Sequence, residues 1–444
     1  MEEFSIRAER MTNLRTSRAI LCALGAICQE RQVLAPLAKM VHINQKVVQY
    51  TPVDKLMDAF LAMLCGARTL FATNTTLRPD RAVSLAFGRD GCAEQSTIWE
   101  TIQACSETNL AELRLALHDI FQAHSQTARH VGEHFVAGRL GLELDLSGLR
   151  AGKRAEASTK GYFSKELQAH GRQLVRVFAA QYREIVWQEV VAGNTASCTT
   201  LQASVELTEQ LLGLTVADRQ LVRWRLDAGF GTFENISWLL NRGYQVLGKL
   251  YSPATAAKLA SSVRQWHRVS GHPGRECGLV TEPLDYGVAT TQVAVRYPLK
   301  KGGYSYAVLV TTDTVSDPCA LADEYDGRTI MESGLSADKG GLGLEKRRCR
   351  SLAAQQVLVM LAELAHNLLT WARQWLGILV QQIGNLGIRR LVTEVIPIAG
   401  VVRWHGQRLV RIRLNGCHPW APLLRRALAR LLAPPGIGVS LGKS

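Results

Sequence analysis

Three carboxylates in this 444-residue chain stand where the local pattern ends or turns: Asp145, Asp227 and Glu332. Cleaving a phosphodiester with Mg²⁺ needs two ions about 4 Å apart, one activating the attacking oxygen and one steadying the leaving oxygen. Hard cations take oxygen ligands, so carboxylates must converge from distant parts of the chain. Leu142-Glu143-Leu144-Asp145-Leu146 alternates with period two, which puts leucines on one strand face and acids on the other. Asp227 closes the strand-like run 221–227, just before the turn Gly229-Phe230-Gly231. Glu332 falls in the helical pattern 322–333. Taken singly, each acid reads equally well as a solvated surface group.

The neighbours of Glu332 sharpen the reading. Tyr325, Arg328, Glu332 and Lys339 follow the spacing Y-x2-R-x3-E-x6-K. At about 100° per residue they fall within roughly 60° of one another on a helix. One face would then carry a metal ligand, two cations and a phenol, suited to gripping phosphates. The plainer alternative is an exposed, ion-paired face. Gly334 and Gly340-Gly341 weaken such a helix, so Lys339 can fall past its end.

On these residues the sequence resembles the bacterial insertion-sequence DDE transposases of the cut-and-paste group, whose YREK signature matches Tyr325, Arg328, Glu332 and Lys339. Two more segments are similar: Asp145-Leu146-Ser147-Gly148-Leu149 continuing to Ser158-Thr159-Lys160-Gly161-Tyr162-Phe163, and Arg225-Leu226-Asp227-Ala228-Gly229-Phe230-Gly231. The acids come in the right order, separated by 82 and 105 residues, with a β-rich stretch before the glutamate. The resemblance implies an α/β catalytic core of ribonuclease H-like type with a β-rich insertion, preceded by an all-α N-terminal DNA-binding region. It implies that Asp145, Asp227 and Glu332 hold two Mg²⁺ ions, with Mn²⁺ able to substitute. Water first nicks the element's end, and the freed 3′-hydroxyl then attacks target DNA at the same site. By position, Tyr325, Arg328 and Lys339 contact the element's end. A related ribonuclease H-like endonuclease, or an inactive DNA-binding derivative acting as a regulator, are the alternatives.

The rest of the pattern divides the chain into five parts. Residues 1–135 are helical and end in a short helix, a glycine turn and a polar-fronted helix, the layout of a helix-turn-helix reader. There Gln95, Thr97 or Thr101 could touch DNA, unless the region is an ordinary bundle. Residues 136–251 are the first part of the core, 252–312 the β-rich insertion, 313–380 the second part with the glutamate, and 381–444 a basic region rich in arginine. Lys153, Arg154 and Lys160 follow Asp145 in a Gly- and Ser-rich loop and are candidate phosphate contacts. Trp224, Trp371 and Trp375 sit in apolar periods and read as core, which leaves Trp238 as the aromatic to stack on an extruded base.

With 52 Lys and Arg against 38 Asp and Glu, the net charge is +14, which favours a polyanionic partner. That partner is DNA, both element ends and target, and pairing two ends suggests a homodimer. Apolar stretches look too short to span a membrane, and the opening residues do not form a leader. Ten scattered cysteines, none in a CxxC pair, suit a reducing cytoplasm, where the protein would associate with the nucleoid. Neither His130 with His134 nor His267, His272 and Cys277 forms a complete zinc set, so no structural zinc is expected.

Overall fold

The computed structural model describes residues 11–161, 163 and 169–442. Tyr162, part of the second similar segment, lies outside them. The strands are β1 (Met11–Thr16), β2 (Leu140–Arg150), β3 (Thr159–Lys160), β4 (His170–Ala179), β5 (Glu184–Ala192), β6 (Val222–Leu226), β7 (Gln245–Lys249), β8 (His267–Arg268), β9 (Glu276–Leu279), β10 (Thr291–Pro298), β11 (Tyr304–Thr311), β12 (Gly400–His405), β13 (Arg408–Asn415) and β14 (Gly438–Gly442). Contacts divide the described chain into two units. One runs from Ser125 to Ser333; the other joins the residues up to His124 with those from Gly334 onward.

The unit from Ser125 to Ser333 is built on one mixed sheet. Its order is β3-β4-β2-β6-β7-β11-β10-β9-β8, with β5 paired to β4. Strands β2, β6 and β7 run parallel, while β4 is antiparallel to both β2 and β5. Strand β2 shows why the alternation matters: Leu142 and Leu144 are fully buried on one face, and Asp145 points to the other. The segment 252–312, expected as a β-rich insertion, contributes β8 to β11 to this same sheet, with β11 laid antiparallel on β7. It is not all β: Ser252 caps the helix Pro253–Ala260, its hydroxyl accepting from Thr255 N at 3.2 Å. A Ser-Pro start is a strong helix signal even in β-rich surroundings.

The other unit corrects the expectation of an all-α N-terminal region. Helices Ala19–Glu30, Pro52–Leu64, Arg81–Ala86, Gln95–Ala104 and Glu107–His124 are present, but β1 precedes them and pairs antiparallel with β12, near the C-terminus. Thr51 and Asp54 form a full capping box at the start of Pro52–Leu64. The 26-residue helix Leu352–Gly377 packs on Pro52–Leu64 and Glu107–His124. By length and composition it could cross a membrane, contrary to the sequence expectation, yet 89% of its apolar window is buried in the protein, as in a core helix. A second sheet, β1-β12-β13-β14, completes this unit.

Candidate active site

Sheet register creates the site. Strands β2 and β6 pair in parallel up to Leu144 opposite Leu226. The next residues along, Asp145 on β2 and Asp227 just past the end of β6, therefore stand side by side on the same face. One step back on that face, Glu143 pairs with Arg225 in register and in an ion pair, with Glu143 fully buried. Opposite Asp145 on β4 is Arg176, 1% exposed, whose Nε and Nη2 donate to Gln188 Oε1 at 2.9 and 2.7 Å.

The third acid arrives on a broken helix, and this corrects the single-face geometry expected for residues 325–339. Tyr325 is on the helix Pro318–Asp326, Gly327 ends it, and Thr329–Gly341 is a second helix carrying Glu332 and Lys339. Glycine weakens the helix at this point. A Cβ at Gly327 would lie 3.1 Å from Glu324 O and 3.3 Å from Arg225 Nη1, so the close approach of Arg225 uses the missing side chain. Met331 is buried against Phe178 and Ile185, and that packing anchors the turn from which Glu332 projects exposed. Lys339 is on the same helix but past Gly334, in the other unit.

The break brings Arg328 inward. Its Nη2 lies 3.4 Å from Asp145 Oδ1 and 3.7 Å from Asp227 Oδ2, and its side chain is 9% exposed. Burial raises the Asp145 carboxyl above its ordinary range, Arg328 opposes that, and the Asp227 and Glu332 charges push it further up. Burial works against the Arg328 charge, but Asp227, Tyr325, Asp145 and Glu332 together raise it. The Tyr325 phenol is pushed up to about 12, mainly by burial. All three acids and the arginine thus share one electrostatic neighbourhood.

Hard oxygen donors repelling one another, with a lone cation bridging two of them, are a donor set that fits a divalent metal. Among the described residues, only His272, Asp323 and Asp326 bring three ligand-type atoms within 4.8 Å of one another. There Asp326 is already paired with Arg275, and His272 and Asp323 are exposed. The Asp145, Asp227 and Glu332 set is wider, with Arg328 inside it.

Other expected residues fare differently. Lys153 and Arg154 are exposed in the turn after β2, and Lys160 is exposed on β3; the structure brings none of them into contact with the carboxylates. Thr101 is fully buried and donates to Gln45 Oε1 at 2.5 Å, so it cannot read DNA, while Gln95 and Thr97 are partly exposed. The Arg242 guanidinium sits 4.9 Å from the Trp238 ring centre, covering a face that base stacking would need. Trp224 and Trp371 are core, and Trp375 is half-buried beneath Arg31. His130 is buried, bonded to the Tyr182 hydroxyl and Gly138 O, and His134 lies beyond the end of its helix. Sequence reasoning missed Arg176, Glu143 and Arg225. The available signal was charged residues alternating with apolar ones along these strands.

The raised Asp145 carboxyl makes a stability prediction. Its folded state holds a proton more tightly than the unfolded chain, so stability declines as pH rises from the unfolded carboxylate range through the raised folded value. The penalty is therefore larger at neutral pH than near pH 4. Asp145→Asn should accordingly melt higher than wild type in metal-free neutral buffer. The gain should vanish near pH 4, where the unfolded carboxyl itself titrates. A variant that melts lower at neutral pH contradicts this account.

Comparison with known proteins gives the family of the chain. Residues 4–435 match the family described as Transposase DDE domain group 1, and the chain belongs to that family. It is a DNA transposase, an enzyme that cuts and rejoins DNA strands. No curated protein matches its sequence. One similar solved structure is a piggyBac transposase synaptic complex with hairpin DNA, 11% identical at a TM-score of 0.44, covering 96% of this chain and 84% of that one. That likeness is too distant to add to the argument.

Proposed function

We propose that Asp145, Asp227 and Glu332 are the DDE carboxylates of this transposase and hold two Mg²⁺ ions, with Mn²⁺ an acceptable substitute. The observation that carries the proposal is the convergence itself. Two neighbouring parallel strands and a separate helix deliver three acids around one buried arginine. The strand order β5-β4-β2-β6-β7, parallel on one side of β2 and antiparallel on the other, supports a ribonuclease H-like core. The metals supply an activated oxygen and charge neutralisation at the phosphate. The chain's own residues set the geometry: Arg176 and the Glu143–Arg225 pair fix the sheet face beneath the aspartates. Gly327 sets the angle at which Arg328 and Glu332 enter.

On this reading Tyr325, Arg328 and Lys339 complete with Glu332 the YREK signature of bacterial insertion-sequence enzymes and contact the element's end. Lys153, Arg154 and Lys160 steer phosphates from exposed positions near the strand ends. The enzyme acts as a homodimer on two ends, in the cytoplasm with the nucleoid, which suits its ten free cysteines. The test is incubation of the full chain and Mg²⁺ with a duplex spanning the flanking element boundary. A nick that exposes a 3′-hydroxyl at the boundary, and joins it to a second duplex, is the expected result. Random cutting without joining would instead favour a plain endonuclease.

A further inference from the structure

The sheet β1-β12-β13-β14 has two unlike faces. One buries Val402, Trp404, Leu409, Ile412 and Leu414 against the helices Ala19–Glu30 and Ala421–Leu431. The register fixes what stands on the other. Arg15, Val401 and Arg413 share one row; Asn13, Arg403 and Arg411 share the next; Met11, His405 and Arg408 share the third. All five arginines in these rows are exposed. The four strands contain no Asp or Glu, and none of the five arginines is ion-paired among the described residues.

The edge strand is shaped to this face. Gly438 lies opposite Arg411 and Gly442 two rows from it, opposite Asn415 and beside the Arg413 stem. A Cβ at Gly442 would come within 2.7 Å of Arg413 Cδ, and one at Gly438 within 3.6 Å of Arg411 Nε. Gly442 thus leaves room for the Arg413 stem to lie across the sheet, while a Cβ at Gly438 would only touch Arg411. Arg403 stands directly opposite Arg411, an arrangement that costs stability in the protein alone. Rows repeat about every 6.7 Å along a strand and strands lie about 4.8 Å apart, so the guanidinium groups form a dense two-dimensional array.

We infer that this face is a DNA-backbone contact surface, one that grips duplex phosphates without reading sequence. Guanidinium forks match phosphate oxygens bidentately, and a sheet face offers them no route to base edges. Charge complementarity selects the partner: five uncompensated cations relieve their repulsion against a polyanion. An acidic membrane is the weaker fit, because Met11, about half exposed, is the one exposed large apolar side chain on the face among the described residues.

The test is the salt dependence of binding to a random-sequence duplex of about 30 base pairs, without metal, using the full chain. Each phosphate contact contributes about 0.9 to the slope of log K against log salt. Arg403→Gln/Arg411→Gln/Arg413→Gln should reduce the slope by about 2–3 and weaken binding at least tenfold near 100 mM salt. Melting temperature should stay at or above wild type, since like charges are removed. Should the triple variant fold poorly, Arg411→Gln alone should lower the slope by about 0.9. An unchanged slope overturns the inference. So does lost binding to phosphatidylserine vesicles with DNA binding intact, which would assign the face to a membrane.

Discussion

Replacing Asp145, Asp227 or Glu332 singly with alanine should lower the rate of strand cleavage by at least about 10³-fold, a loss of about 4 kcal/mol of transition-state stabilisation. The size follows from what each acid would do. A two-metal site needs every bridging or flanking carboxylate to keep the ions at their working separation. Loss of one ligand shifts or empties a metal position, and the attacking or leaving oxygen then develops its charge unsupported. Binding to the element's end should be nearly unchanged, because phosphate contacts by basic residues dominate affinity. The measurement is single-turnover nicking of an end duplex beside a gel-shift titration of the same duplex. Any one of the three variants cutting within tenfold of wild type would remove that residue from the metal set. Of the two aspartates, Asp227, at 32% exposed against 15% for Asp145, is the less constrained by packing and is the more direct place to begin.

Much of this site was legible because it rests on period-two strands. The Leu142-Glu143-Leu144-Asp145 alternation fixes which way Asp145 points, and burial of the leucines then enforces it. The strand ending at Asp227 was equally clear. What periodicity could not give was the partner of each strand. The parallel register that sets Asp145 beside Asp227 comes from long-range pairing, as does the pairing of β1 with β12 across nearly the whole chain. The helix carrying Glu332 departs from the sequence expectation for a local reason. The segment 322–333 reads as one helix in sequence, whereas Gly327 ends the helix Pro318–Asp326 in the structure. In the structure that break, held by Arg225 on one side and Met331 on the other, turns Arg328 toward the aspartates. The uniform helical face predicted for the four signature residues therefore gives way to a bent one.

Arg328 carries the other large effect. It is the cation lying between Asp145 and Asp227, and its side chain is nearly buried. Without it Arg176 is left as the cation acting on Asp145, and the two aspartates and Glu332 face one another with less compensation. Removing one partner from a buried charge cluster costs about 3–5 kcal/mol. Arg328→Gln should accordingly lower the melting temperature of the metal-free protein by about 10 °C, scaling from about 2–4 °C per kcal/mol for a unit of this size. A divalent ion supplies the missing charge, so millimolar Mn²⁺ or Mg²⁺ should restore most of the loss in the variant. The same ions should shift wild type less, since the guanidinium already provides part of that compensation. Comparing metal-induced melting shifts in the two proteins reads this directly, independent of cleavage. Equal shifts in both would mean that the ion does not enter the space Arg328 serves. The double variant Arg328→Gln/Asp145→Asn separates the causes. It should recover stability without metal if like-charge repulsion is the defect, and should not if the loss was one of packing.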